Sequence, residues 1–147
     1  MHTGIASAVA VQSDSSRVEI GLIGREGVTG SSVLLGDSHS PHSTYIQAVA
    51  TSEKIATNEL QKTMTESATL RVVLQKYVLL FTMQTAHTAI ANARAKLPER
   101  LARWFLMAQD WVGDNALALT HEFLGLMLGV RRAGVTEGCT VCSAASS

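Results

Sequence analysis

Leu119 to Glu137 reads LTHEFLGLMLGVRRAGVTE, and the reading of this stretch decides the fold. Thr120 suits a helix N-cap, because its hydroxyl can accept a free backbone N–H of the first turn. Phe123, Leu124, Met127 and Leu128 then recur at helical spacing and make one apolar face. Gly125 is small where a second helix must cross closely. Gly129 supplies the left-handed backbone that ends a helix. Val130 and Val135 pack a second short helix back onto the first and leave Arg131, Arg132 and Thr136 on its outer side. Two short helices and a tight turn are therefore predicted.

Two readings of that unit stay open on spacing alone. One is a helix-turn-helix whose second helix enters the major groove of DNA. Arg131 or Arg132 would there fork to guanine O6 and N7 or neutralise phosphate. Thr120 and His121, at the N-terminus of the first helix, would lie near the phosphate backbone, where free N–H groups favour anions. The other reading is an ordinary helical hairpin with a solvated arginine pair.

Two longer runs carry a resemblance. ERLARWFLMAQDWVGDNALALTHEFLGLMLGVRRAGVTE, 99–137, resembles the hinge and helix-turn-helix of bacterial Crp/Fnr-type transcriptional regulators. VEIGLIGREGVTG, 18–30, is similar to the effector-domain roll of the same family. The likeness runs from about Thr3 to Glu137. It implies an α+β chain: a partial, cyclic-nucleotide-binding-like β-roll over 1–66, a long dimerisation helix over 67–96, and an incomplete helix-turn-helix domain over 97–147. It also implies double-stranded DNA and RNA polymerase as partners.

Composition adds bounds. The chain has 147 residues, 46% of them hydrophobic, which is enough apolar material for a core. Its formal net charge is zero, so no global basic field advertises nucleic acid. From Lys96 to Glu137 the bases Lys96, Arg100, Arg103, Arg131 and Arg132 are balanced by Glu99, Asp110, Asp114, Glu122 and Glu137. A DNA role must rest on local placement, and binding is expected to weaken with salt. No apolar run is long enough to span a membrane, and MHTGIASAVAVQSD lacks the basic start of a signal peptide. Cys139 and Cys142 are the only cysteines, which fits a reducing, cytoplasmic setting. A lone CxxC without two further ligands predicts neither a zinc site nor redox chemistry.

Residues 1–57 read as short strands and turns, with alternation at Val18-Glu19-Ile20 and Tyr45-Ile46-Gln47-Ala48-Val49 and breaks at Ser13–Ser16 and Asp37–Pro41. The glycines from Gly24 to Gly36 fit turns rather than a phosphate loop, since no Gly-Lys-Ser/Thr follows. By the resemblance, several strands that precede this segment in the family are not in the chain, which would leave strand edges open. Cyclic-nucleotide-binding members take the ribose with a Gly-Glu pair and the cyclic phosphate with an Arg followed by Ser or Thr. Here no Gly-Glu pair stands at that place and His42-Ser43 replaces the Arg pair, so no response to cyclic AMP is expected: neutral His lacks the fixed charge and five donors of Arg.

Thr57 or Asn58 is a candidate cap for a short helix at ELQKTM. Ser67 to Lys96 then holds neither Gly nor Pro, and Leu70, Val73, Leu74, Tyr77, Val78, Phe81, Ala86, Ala89, Ile90 and Ala93 form one stripe at steps of three and four. At 1.5 Å per residue such a helix spans about 45 Å, more than a small domain can cover, so pairing with the same helix of a second chain is expected; the matching family helix is the dimer interface. Gln84 and His87 read as polar spacers. Leu97 to Val112 is a further helix with Pro98 in its first turn. Leu101, Trp104, Phe105, Met107 and Ala108 are its predicted buried face, Arg100 and Arg103 its solvated one, and Trp104 and Trp111 are core residues rather than stacking platforms.

After Glu137 the resemblance stops. The family's recognition helix continues with apolar residues and a β-hairpin wing, whereas this chain reads GCTVCSAASS. Gly138, where a large aliphatic is expected, lowers helix stability by roughly 1 kcal/mol against Ala. The chosen reading is a homodimeric, DNA-binding regulator that uses Arg131, Arg132, Thr136, Thr120 and His121. The rival is a truncated dimerisation module or gene remnant without DNA binding. No nucleophile, base and orienting acid form a set, so no catalytic residue, cofactor or metal is expected.

Overall fold

The computed structural model describes residues 4–13, 16–47, 50–112, 124, 125 and 129. Three strands, β1 (Ala6–Val11), β2 (Arg17–Ile23) and β3 (Ser43–Ile46), form an antiparallel sheet in the order β2-β1-β3. Three helices follow: α1 (Thr57–Glu66), α2 (Ala68–Arg94) and α3 (Leu97–Val112). The architecture is α+β, as the sequence predicts.

One irregularity in the sheet governs what faces what. Ala8 pairs with Gly21, but Val9 pairs with Glu19, so Ile20 is an extra residue in β2. A bulge of this kind shifts the alternation of the strand by one place. Residues directly opposite each other point to the same side. Ser7, Val9, Leu22 and Glu19 consequently share one face, and Ala6, Ala8 and Ile23 share the other. The first face packs against α3, in a core of Ile5, Val9, Leu22, Leu101, Trp104, Ala108 and Leu124. The second packs a smaller cluster of Ala6, Ala8 and Ile23 against Ile20 and Phe81, the latter on α2. The simple alternation Val18-Glu19-Ile20 would have left Glu19 outside; the bulge buries it.

Between β2 and β3 lies a 3-10 helix, Ser31–Leu35, which the sequence reading did not anticipate. Gly30 and Gly36 close its two ends with φ of 70° and 96°, backbone that glycine adopts without steric cost. The expected strand at Tyr45–Val49 ends at Ile46, where the Gln47 N–H bonds to the Ile5 carbonyl.

Helix ends follow local chemistry. Ser67 caps α2 and its hydroxyl accepts from the Leu70 N–H at 3.2 Å. Glu99 reaches back to the Lys96 N–H at 2.8 Å, satisfying a free donor at the start of α3, while Pro98 sits in the first turn. At α1 the expectation fails: the cap is Ala56, without a side-chain bond, and Thr57 and Asn58 lie inside the first turn. There the backbone alone closes the turn, through Leu60 N–H to Ala56 O.

Two predicted faces also need correction. On α3, Leu101, Trp104 and Ala108 are buried, but Phe105 is 38% exposed, because position 105 is turned about 100° from 104 and leaves the sheet. Arg100 and Arg103 are half-buried rather than solvated. On α2 the single stripe splits. Leu70, Leu74, Tyr77, Val78 and Phe81 are half-buried, whereas Val73, Ala86, Ala89, Ile90 and Ala93 are exposed. The sheet is shorter than the helix and covers one side of its middle only.

Candidate functional site

Of the two-helix unit predicted over 119–137, three positions are described. Leu124 and Gly125 are helical and buried, and Leu124 joins the main core beside Leu101 and Trp104. Gly129 has φ 62°, the left-handed turn expected there, and a Cβ on it would stand 3.0 Å from Val18. Arg131, Arg132, Thr136, Thr120 and His121 lie outside the described residues, as do Cys139 and Cys142.

The support beneath that unit is α3, and its attachment is polar as well as apolar. Trp104 and Trp111, two turns apart, each donate an indole N–H to a carboxylate, Trp104 to Glu19 Oε1 and Trp111 to Glu26 Oε1, both at 2.9 Å. Trp111 also lies over Gly24, where any Cβ would collide with the ring at 2.6 Å. Glu19 Oε2 accepts from the Ser7 hydroxyl, and Ser7 Oγ accepts from Gln47 Nε2. Burial pushes the Glu19 carboxyl up to about 7; the bonds from Ser7 and Trp104 and the charge of Arg103 pull the other way and do not prevail. Sequence reading missed this network. Its only signal is one acid in an otherwise apolar strand core, VEIGLI.

A second feature is a cavity of about 260 Å³ between the sheet, the 3-10 helix and α2. Ala8, Ile20, Ile23, Val28, Val78 and Phe81 give it apolar walls. Thr82 and Thr85 also line it, but their hydroxyls are engaged by the carbonyls of Val78 and Phe81. The buried Ser32 hydroxyl on its rim has no hydrogen-bond partner among the described residues. His42 is the one ionisable side chain in the described lining, and Ser43 begins β3 as an exposed residue. Among the described residues no Arg or Lys lines the space, so none of them offers a phosphate a fixed positive charge.

The third feature is α2 itself. Gln84 is not a spacer: its Oε1 accepts the Leu22 N–H at 2.9 Å and so caps the edge of β2. Tyr77 donates to the Val28 carbonyl at 3.0 Å. Those contacts bind one side of the helix to the sheet. On another side Val72, Val73, Leu79, Leu80, Met83 and Ile90 are all exposed, Leu80 at 63%. Among the described residues no group of His, Cys, Asp and Glu is placed to hold a metal, and no helix is long and apolar enough to cross a membrane.

No family model and no curated protein sequence matches this chain. Solved structures do. A protein from Eubacterium rectale described as a transcriptional regulator of the crp/fnr family superimposes with a TM-score of 0.71 at 14% identity, over 97% of this chain and 67% of its own. The c-di-GMP-responsive global regulator CLP of Xanthomonas campestris gives 0.67 at 12% identity, over 99% of this chain and 76% of its own. FixK2 of Bradyrhizobium japonicum gives 0.66 at 13%, over 99% and 73%. The chain has the fold of Crp/Fnr-type regulators, spanning about two thirds to three quarters of their length.

Proposed function

We propose that this chain, folded like a Crp/Fnr regulator, is a transcriptional regulator that binds double-stranded DNA as a homodimer. The observation that carries the reading is the uncovered side of α2. Val72, Leu79, Ala86 and Ala93 recur every seven residues, Met83 and Ile90 fall between them, and exposed Leu80 flanks the seam. A 3.5-residue apolar repeat is the seam of a two-stranded coiled coil. Lys76 is the one charged residue on that seam. Paired α2 helices would place two reading units on one side of the dimer, suited to half-sites one DNA turn apart. Residues 1–66 would act as the effector-type roll, 67–96 as the dimerisation helix and 97–147 as the DNA-binding segment.

In that reading Arg131, Arg132 and Thr136 face base edges, and Thr120 and His121 face phosphate. A cavity lining without Arg or Lys among the described residues supports a protein that does not answer to cyclic AMP. A cytoplasmic location and a contact with RNA polymerase belong to the same proposal, and catalysis does not. The test is binding of the dimer to a randomised duplex library, with and without Arg132→Ala. Selection of a two-fold symmetric sequence, weakening as salt rises and altered by the substitution, is expected. Dimers that bind no duplex at physiological salt would leave only the rival, a dimerising module.

A further inference from the structure

We propose that the Glu19 carboxyl is a proton-operated bolt between the sheet and α3, holding the helix down when neutral and letting it lift when ionised. The bulge at Ile20 turns this side chain inward, onto the face that α3 covers, and leaves it 4% exposed. Its two oxygens meet Trp104 Nε1 from α3 and the Ser7 hydroxyl from β1. When protonated, the carboxyl can itself donate to Ser7 Oγ, which has lone pairs for both this bond and Gln47 Nε2. The neutral form thus keeps a partner for each oxygen without placing a charge in the interior.

The ionised form accepts from the same two donors but must hold its charge away from water. Around the carboxyl, α2 presents Thr88, Ala91 and Asn92, β1 presents Ser7, and α3 presents Arg103 and Arg100 beside Trp104. Arg103 attracts the negative charge, but burial outweighs that attraction and the two hydrogen bonds together. Burial also lowers the Arg100 pKa, so this pocket is costly for charges of either sign. The cavity between these groups is about 20 Å³, room for a single water. Lifting α3 would open the carboxylate to solvent and hydrate it.

The sign follows from linkage. The docked pKa, about 7, lies above the ordinary 4.5 that a solvated carboxyl regains. Docking is therefore at full strength below about 4.5 and is lost as pH rises through about 7; between pH 6 and 8 the docking constant falls about tenfold. Since α3 leads into the DNA-reading segment, operator affinity should follow. That last consequence rests on the regulator proposal; the docking itself does not.

Amide hydrogen exchange on the full chain, corrected for the intrinsic pH dependence, tests it. Protection of Leu101, Trp104 and Ala108 should fall about tenfold from pH 6 to 8. It should stay flat in Glu19→Gln, which keeps a neutral carbonyl for Trp104. A flat wild type, or a fall that persists in Glu19→Gln, overturns the bolt. Should Glu19→Gln not fold, Ser7→Ala serves: it removes a bond to the charged form and must move the Trp104 indole titration upward from about 7, and an unmoved or lowered midpoint refutes the proposal. Failure of DNA binding with the titration intact would sink the regulator reading alone.

Discussion

Along α3 the residues that touch the rest of the chain recur at Leu97, Leu101, Trp104, Ala108 and Trp111, all on one side. Along α2 apolar residues lie on two sides: Tyr77, Val78 and Phe81 are half-buried toward the sheet, while Leu79, Leu80, Met83 and Ile90 are exposed. A helix that is apolar all round is stable only when it is covered all round. The difference teaches where each helix finds its stability. α3 draws it from the chain's own sheet, through close packing and two indole–carboxylate bonds. α2 draws part of it there and keeps an exposed apolar side, which the proposed homodimer would cover.

Paired substitutions can break or sharpen that contrast. Leu101 is 0% exposed, so Leu101→Ala should lower unfolding free energy by about 2–5 kcal/mol in denaturant titrations. Gly21→Ala should come next. Its Cβ would collide with Gln84 Oε1 and stand 2.9 Å from Phe81, so both side-chain ends must shift and the Gln84 bond to the Leu22 N–H is lost, at about 1–3 kcal/mol in the same titration. Ser67→Ala removes the cap of α2 and should cost about 1 kcal/mol, read as a lower denaturation midpoint with an unchanged slope. The smallest effect on protomer stability is expected from Leu80→Ala. At concentrations where the dimer is dissociated, unfolding should change by less than about 0.5 kcal/mol. In sedimentation equilibrium the same variant should raise the dimer dissociation constant at least about tenfold, since burial of each Leu80 would be lost. A Leu80→Ala loss as large as that of Leu101→Ala, independent of concentration, would erase the contrast.

Two features of the candidate site were readable from the chain because their determinants are local, while Arg131, Arg132, Thr136, Thr120 and His121 lie outside the described residues. The left-handed Gly129 and the helical, buried Leu124 stand as the sequence predicts. Phe105 was misplaced because a one-residue error of phase around a helix is invisible without the surface it docks on. Gln84 was misread for a related reason: a polar side chain on a long helix reads as solvent-facing until an unpaired N–H of an edge strand is set opposite it.

What the sequence determined by itself was the class of the fold, the extents of α2 and α3, and the turn at Gly129. Caps, a proline in a first turn and glycine backbone act over four residues or fewer, so composition and spacing suffice to reveal them. Only the tertiary structure decided that Glu19 is buried and that the apolar stripe of α2 divides between two sides. The first depends on which residue of β2 faces Val9 of β1, and the second on how much of a 27-residue helix a four- to seven-residue strand can cover. Both are settled by contacts between segments far apart in the chain, where pairing register and surface area, not local preference, set the outcome.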